Sequence, residues 1–81
     1  MKILISYPMK PNTILLDIPV KITFIKYHND FAYFWVTNKH NQPLTVQIKS
    51  DTYTERRTIQ PLSCYKMKTH INDFNMEVEI S

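Results

Sequence analysis

The segment that most constrains the fold is Phe31-Ala32-Tyr33-Phe34-Trp35-Val36. If this segment is a β-strand, its odd-numbered and even-numbered side chains point to opposite faces. Both faces are then apolar, which favours a central strand buried on both sides or an aromatic row in the core. A second interpretation leaves Tyr33 and Trp35 in solvent as a binding surface, because amphipathic aromatic side chains often anchor interfaces.

The rest of the chain shares this preference for strands. Val, Ile, Tyr, Phe, Trp and Thr make up 32 of the 81 residues, whereas Ala32 is the only alanine. β-branched and aromatic side chains fit a pleated, half-buried surface and lose rotamer freedom in a helix. No long window shows a helical period uninterrupted by proline. The composition therefore predicts an all-β protein without a long helix.

Strands and turns alternate along the chain without a linker or repeat, which predicts one domain over residues 1–81. At this length there is room for one hydrophobic core. Short strands at regular spacing favour a small antiparallel β-sandwich, with a small β-barrel as the alternative. Eight strands are predicted, at residues 2–7, 13–18, 20–27, 31–38, 44–50, 54–60, 64–71 and 74–80.

The turns must form without glycine, which is absent from the chain. Asn and Asp are the next most tolerant of the left-handed conformation, so we expect them at those positions. The absence of glycine also excludes glycine-rich phosphate loops and dinucleotide-binding fingerprints. The turn candidates are Asn12, Asn29-Asp30, residues 38–41, Asp51 and Asn72-Asp73.

The end of the chain predicts a hairpin closed by Asn72-Asp73. Its register places opposite charges on one face and apolar residues on the other: Lys66 with Glu79, Lys68 with Glu77, and Met67 with Val78. Each such cross-strand pair stabilises a sheet by about 0.2–1 kcal/mol. We therefore expect charge reversal on the first face to be mild and Val78→Asp on the second to be severe.

Three further segments bear on the architecture: Val36-Thr37-Asn38, Pro43-Leu44-Thr45-Val46 and Thr58-Ile59-Gln60-Pro61. Together they resemble an immunoglobulin-like or related β-sandwich. The cysteine pair of antibody domains is missing, because Cys64 is the only cysteine. The resemblance implies an architecture and no particular function.

Catalytic and metal-binding patterns are missing from the sequence. His28 and His40 stand at opposite ends of one predicted strand, and His70 lies in another, so no close-spaced pair of zinc ligands exists. Cys64 has no neighbouring base that would activate it as a nucleophile. The sequence therefore predicts a non-enzyme without a metal or a cofactor.

The favoured working surface is the stretch 51–58, which has strong β-propensity and little to bury. It is typical of an exposed edge strand or of a soluble loop. Tyrosine and arginine often dominate binding energy at interfaces, and adjacent arginines on a strand project to opposite faces. We expect a non-catalytic protein-binding module with Tyr53, Arg56 and Arg57 as its site, followed by Tyr33 and Trp35.

Single-stranded nucleic acid is the alternative partner. Phe31-Ala32-Tyr33-Phe34 resembles the middle of the aromatic strand in RNA-recognition motifs, but Asn29 and Asp30 depart from that pattern, and the two helices have no candidate segments. An OB-like or SH3-like barrel could still place these aromatics on a binding face. The net charge of +3 is compatible with such a partner, but the basic residues are scattered, so a protein partner is favoured.

The chain shows no apolar run long enough for a signal peptide or a membrane span, so we expect a complete, cytoplasmic protein. Its richness in Ile, Lys, Asn and Tyr is typical of an A+T-rich genome. We therefore expect a small viral or mobile-element protein, acting as an inhibitor of a host factor or as a virion component. A homo-oligomer is compatible with this expectation.

Overall fold

Eight strands build the chain in a computed structural model that describes residues 2–6, 10–70 and 75–81. They are β1 (Lys2–Ser6), β2 (Ile14–Leu16), β3 (Val20–His28), β4 (Phe31–Asn38), β5 (Leu44–Lys49), β6 (Thr54–Ile59), β7 (Cys64–His70) and β8 (Asn75–Ile80). Each predicted strand is found close to its predicted limits, and the described residues include no helix. The predicted all-β class is confirmed.

The strands form two antiparallel four-stranded sheets, in the orders β1-β8-β5-β6 and β2-β3-β4-β7. We call them the β5 sheet and the β4 sheet, after a central strand of each. In the described part of the chain each sheet has two edge strands, and no strand pair links one sheet to the other. The two sheets pack around one core.

The core lies between the sheets and takes alternate residues from the strands. This period of two is what a sheet with one buried face requires. On β4 the even-numbered side chains face the core, so the odd-numbered ones face solvent. The core members are Val20, Ile22, Phe24, Ala32, Phe34, Val36, Val46, Ile48, Ile59, Met67, Val78 and Ile80.

Several turns contain residues in the left-handed conformation, and most of these residues are asparagine or aspartate, as predicted. Asn12 has a φ of 67°, and Asn29 and Asp30 have φ values of 49° and 66°. Two consecutive positive φ angles in a two-residue loop match the type I′ turn that suits the twist of a hairpin. Leu62 also has a positive φ, 59°, which the sequence does not predict.

One extra residue interrupts the pairing of β3 with β4. Phe24 pairs with Phe34 and Lys26 pairs with Tyr33, so the register shifts at Ile25. A β-bulge of this kind leaves one residue without a partner and changes the alternation beyond it. Simple alternation would place Lys26 on the buried face with Phe24, but the bulge moves Lys26 to the solvent face opposite Tyr33.

The predicted C-terminal hairpin is wrong, because β7 and β8 belong to different sheets. The observed cross-strand partners are Trp35 for Lys66, Tyr33 for Lys68, Gln47 for Glu79 and Lys49 for Glu77. Alternation indicates which side chains face the core and leaves open which sheet a strand joins. Met67 and Val78 therefore enter the same core from opposite sheets. The turn predicted at Asn72-Asp73 lies outside the described residues.

Asn38 is a fully buried polar residue that ties two loops to the end of β4. Its Nδ2 donates hydrogen bonds to the carbonyl oxygens of Gln42 (2.8 Å) and Ile59 (2.9 Å), and its Oδ1 accepts one from the N–H of His40 (2.8 Å). Its main-chain groups bond to residues 62–63. Because each polar group has a partner, the residue can be buried, and the β4–β5 and β6–β7 loops are fixed.

Candidate binding surface

The outer face of the β4 sheet carries an aromatic row, formed by the odd-numbered residues 31, 33 and 35 of β4. The neighbouring strands place lysines beside it. Lys66 and Lys68 on β7 lie opposite Trp35 and Tyr33, and Lys26 on β3 lies opposite Tyr33 from the other side. We call this surface the aromatic–lysine face, which consists of Phe31, Tyr33, Trp35, Lys26, Lys66 and Lys68.

The lysine side chains from β7 lie over the aromatic rings. Lys68 Nζ is 4.6 Å from the ring centroid of Phe31. Lys66 Nζ is 5.5 Å from the ring centroid of Trp35 and 6.0 Å from that of Tyr33. At exposed sites such cation–π contacts are each worth about 0.5–1 kcal/mol. They hold positive charge and aromatic surface together on one face.

The aromatic row lies outside the core. Trp35 is 45% exposed, and Phe31 and Tyr33 are half-buried, whereas the even-numbered residues of β4 are fully buried. The expectation that this strand is buried on both sides is therefore wrong, because only one of its faces meets the other sheet. Tyr33 and Trp35 lie on the solvent side, as the second interpretation of the sequence required.

Two of the acidic residues lie on the opposite side of the molecule. Glu77 and Glu79 are on the outer face of the β5 sheet, where Lys2 Nζ is 3.7 and 3.8 Å from their carboxylate oxygens. In the described residues, no strand position on the outer face of the β4 sheet carries a carboxylate. The strand positions of this face therefore carry only positive charge, although the net charge of the chain is only +3, and the carboxylate of Glu55 reaches the margin of the face from β6.

Asp17 follows β2 and forms an ion pair with Lys39 at one end of the β4 sheet. Its carboxylate accepts a hydrogen bond of 2.8 Å from Lys39 Nζ. This bond and the charge of Lys39 lower the pKa of Asp17 from its ordinary value of 3.8, and the charge of Lys21 lowers it further. Lys21 lies opposite Thr37, beyond the end of the aromatic row, so we leave it out of the aromatic–lysine face.

The other predicted site, at Tyr53, Arg56 and Arg57, falls on or next to β6, an edge strand of the β5 sheet. Arg57 lies opposite buried Val46 and Arg56 opposite Gln47, so the two arginines project to opposite faces, as predicted. Both arginines are exposed and Tyr53 is half-buried.

Contacts within the molecule engage much of this edge. The guanidinium carbon of Arg57 is 5.0 Å from the ring centroid of Tyr65 on β7. Glu55 Oε1 accepts a hydrogen bond of 3.0 Å from the main-chain N–H of Lys68. The Tyr53 ring packs edge-on against Phe31, with centroids 5.4 Å apart. These contacts join β6 to β7, and they bring Tyr53 to the end of the aromatic row rather than to the arginines.

Other features of the described residues make weaker candidates. A shallow pocket of about 190 Å³ is lined by Ile18, Pro19, Lys39 and His40. In residues 2–6, 10–70 and 75–81, no three His, Cys, Asp or Glu side chains come together as metal ligands. Nor does that part of the chain contain a helix long and apolar enough to cross a membrane.

Comparison with known proteins yields no significant match. No protein-family model matches the chain, and neither a curated protein nor a solved structure is significantly similar to it.

Sequence reasoning identified two rings of the aromatic–lysine face and missed its lysines. Tyr33 and Trp35 were accessible to prediction because alternation along β4 is regular. The alternation in β7 also indicates that Lys66 and Lys68 point to solvent, but it does not indicate that β7 pairs with β4. No signal in the sequence marks the bulge that brings Lys26 to this face.

Proposed function

We propose that this protein is a non-catalytic binding module whose working surface is the aromatic–lysine face. The observation that carries the proposal is the position of Trp35, the only tryptophan, which is 45% exposed on a central strand and flanked by lysine. Large aromatic rings at a surface often dominate binding energy. A sheet beneath them holds the rings in a fixed geometry, which favours recognition of a partner.

A cysteine on the outer face of the β4 sheet provides the attachment point for a crosslinking test. Cys64, the only cysteine, is exposed and lies opposite Thr37 on the outer face of the β4 sheet. A photo-crosslinker attached to Cys64 should capture the partner from extracts of cells that make the protein. The control is Lys49→Cys in a Cys64→Ser background, which moves the crosslinker to the outer face of the β5 sheet. Equal capture from both positions would place the working surface elsewhere.

A second candidate function is protein binding by strand addition at β6. Hydrogen bonds between Thr45 and Ser81 direct the main-chain groups of Thr45 towards β8. Alternation along the ladder then directs those of Arg56, on the far side of β5, into solvent. An extended partner segment could pair with this edge, with Arg56 and Arg57 on its two faces.

A proline substitution separates this second candidate from the first. Arg56→Pro removes the outward N–H, so it should weaken strand addition more than the matched Arg56→Ala does. If the aromatic–lysine face is the working surface, capture from Cys64 should be the same in both variants. Circular dichroism of both proteins is the folding control.

Three broader proposals are compatible with either surface. An immunoglobulin-like fold is supported by the two antiparallel sheets around one core. A viral or mobile-element inhibitor, or a virion component, is supported by the composition and small size of the chain. A cytoplasmic location is supported by the lone cysteine, which fits a reducing compartment.

A further inference from the structure

We infer that the ligand of the aromatic–lysine face is a single-stranded nucleic acid, with its bases on the rings of β4 and its phosphates on the lysines of β7. The inference rests on the proposed function and names its ligand class. Proteins that bind single strands combine cations that follow the backbone with aromatic rings on which successive bases stack. The pairing of β4 with β7 places both kinds of group side by side.

The aromatic rings form a line that suits an unpaired strand. Neighbours on one face of a β-strand are two residues apart, so the Cα atoms of Phe31, Tyr33 and Trp35 follow at steps of about 6.6 Å. The Tyr53 ring packs edge-on against Phe31, which is the end of this line. Unpaired bases can splay apart and stack on such rings one by one, and every base has an aromatic face to offer.

The lysines of β7 lie along one flank of this line. Lys66 is opposite Trp35 and Lys68 is opposite Tyr33, so cations and rings advance together along the two strands. Their ammonium groups rest 4.6 to 6.0 Å from ring centroids. A bound strand would draw each ammonium group onto a phosphate and free the ring for a base. The weaker cation–π contact is thereby exchanged for a charge contact and a stacking contact.

A protein partner and duplex DNA fit this face less well than a single strand does. Protein interfaces are depleted in lysine relative to the rest of the surface, whereas here lysines cover the central rings. Duplex DNA presents its base edges in grooves that a helix or a two-stranded ribbon enters. β4 is flanked by β3 and β7 and cannot enter a groove. A single strand brings phosphates and exposed bases to a flat face together.

The test is a titration with mixed-sequence oligonucleotides of about 12 nucleotides, a length within known site sizes. Trp35 is the only tryptophan, so quenching of its emission reports stacking on this face directly. We expect quenching by single-stranded DNA or RNA and weaker binding of the same sequence as a duplex. Contact with the two lysines of β7 predicts that affinity falls about sevenfold between roughly 50 and 200 mM salt.

Two pairs of variants test the two halves of the inference, with anisotropy of a labelled strand as the readout. Trp35→Leu should weaken binding by roughly 5- to 150-fold, whereas Trp35→Phe retains an aromatic ring and most of the affinity. Lys66→Glu should weaken binding far more than Lys49→Glu, which changes the net charge equally on the opposite face. If Trp35→Leu fails to fold, the affinity of Trp35→Phe and the comparison of Lys66→Glu with Lys49→Glu still test the inference.

Three results would overturn the inference. They are the absence of binding at about 150 mM salt, equal effects of Lys66→Glu and Lys49→Glu, and equally tight binding of polyglutamate, which would indicate a site for acidic polypeptides. Crosslinking of a protein from Cys64 without oligonucleotide binding would refute the nucleic-acid ligand and leave the proposed function standing.

Discussion

Asn38 is the residue on which the loops at one end of the two sheets depend. Asn38→Ala removes three side-chain hydrogen bonds and leaves the carbonyl of Ile59 buried without this partner, so we expect a loss of about 2–4 kcal/mol in the free energy of unfolding. Asn38→Asp should cost more, because a carboxylate oxygen would face two carbonyl oxygens. Urea denaturation measures both, and exposed Asn41→Ala is the control; equal stability of all three variants would contradict the assignment.

Thr69 has a buried hydroxyl without a hydrogen-bond partner among the described residues. A buried polar group without a partner is destabilising, and valine has nearly the same shape without the hydroxyl. Thr69→Val should therefore stabilise the protein by about 1 kcal/mol, measured as a rise in the midpoint of urea unfolding. Thr37→Val, at a half-exposed position, should change stability little. A loss of stability in Thr69→Val would show that the hydroxyl has a partner.

Asp17 and Lys39 predict a pH dependence of stability. The pKa of Asp17 is lowered in the folded state, so the ion pair contributes stability above pH 3.8 and loses that contribution as the pH falls through the folded-state pKa. NMR titration of the carboxyl group should give a midpoint below 3.8. In Lys39→Ala the midpoint should move up towards 3.8, and an unmoved midpoint would exclude Lys39 as the cause.

At the scale of elements, β6 and β7 are joined through side chains. Glu55 Oε1 accepts a hydrogen bond from the main-chain N–H of Lys68, which would otherwise be an open donor on an edge strand. Glu55→Ala should therefore speed amide hydrogen exchange at Lys68 by roughly tenfold, the equivalent of one hydrogen bond of average strength. Glu77→Ala, on the outer face of the same sheet as Glu55, is the control. Unchanged exchange at Lys68 in Glu55→Ala would exclude the bond in solution.

The strands themselves were predictable from local sequence, but their irregularities were not. Val20, Ile22 and Phe24 are buried at alternate positions, as a regular strand requires, and this pattern marks β3. The extra residue at Ile25 leaves no such trace, because its effect exists only relative to β4. Leu62 likewise adopts a positive φ because the hydrogen bond from its N–H to Asn38 fixes the loop, and leucine has no intrinsic preference for that conformation.

At the scale of the whole molecule, a double-mutant cycle tests which strands are neighbours. The two-sheet arrangement predicts a coupling energy of about 0.2–1 kcal/mol between Lys2 and Glu79, whose charged atoms are 3.8 Å apart. It predicts none between Lys66 and Glu79, which a C-terminal hairpin would pair. Thermal unfolding of the single and double alanine variants measures both energies. A larger coupling for the second pair would contradict the arrangement.

Lys66 and Glu79 also show how much of the strand pairing could be predicted from the sequence. Lys66 and Glu79 carry opposite charges and stand at positions that a hairpin would bring to one face. No feature of the neighbouring sequence excludes that hairpin. What excludes it is the burial of Met67 and Val78 from opposite sheets, a property of the assembled core. The candidate surface depends on the same assembly, because its lysines reach the aromatic row only through the pairing of β7 with β4.

The absence of glycine, which the left-handed turns tolerate, also affects the entropy of the denatured chain. Glycine samples more backbone conformations than any other residue, so a chain without it loses less configurational entropy when it folds. Replacing one glycine at a compatible position typically stabilises a protein by about 0.4–1 kcal/mol through this effect. At Asn12, Asn29 and Asp30, side chains that tolerate positive φ give the chain this advantage at low steric cost. In a domain with so small a core, part of the stability therefore comes from the lower conformational entropy of the unfolded chain.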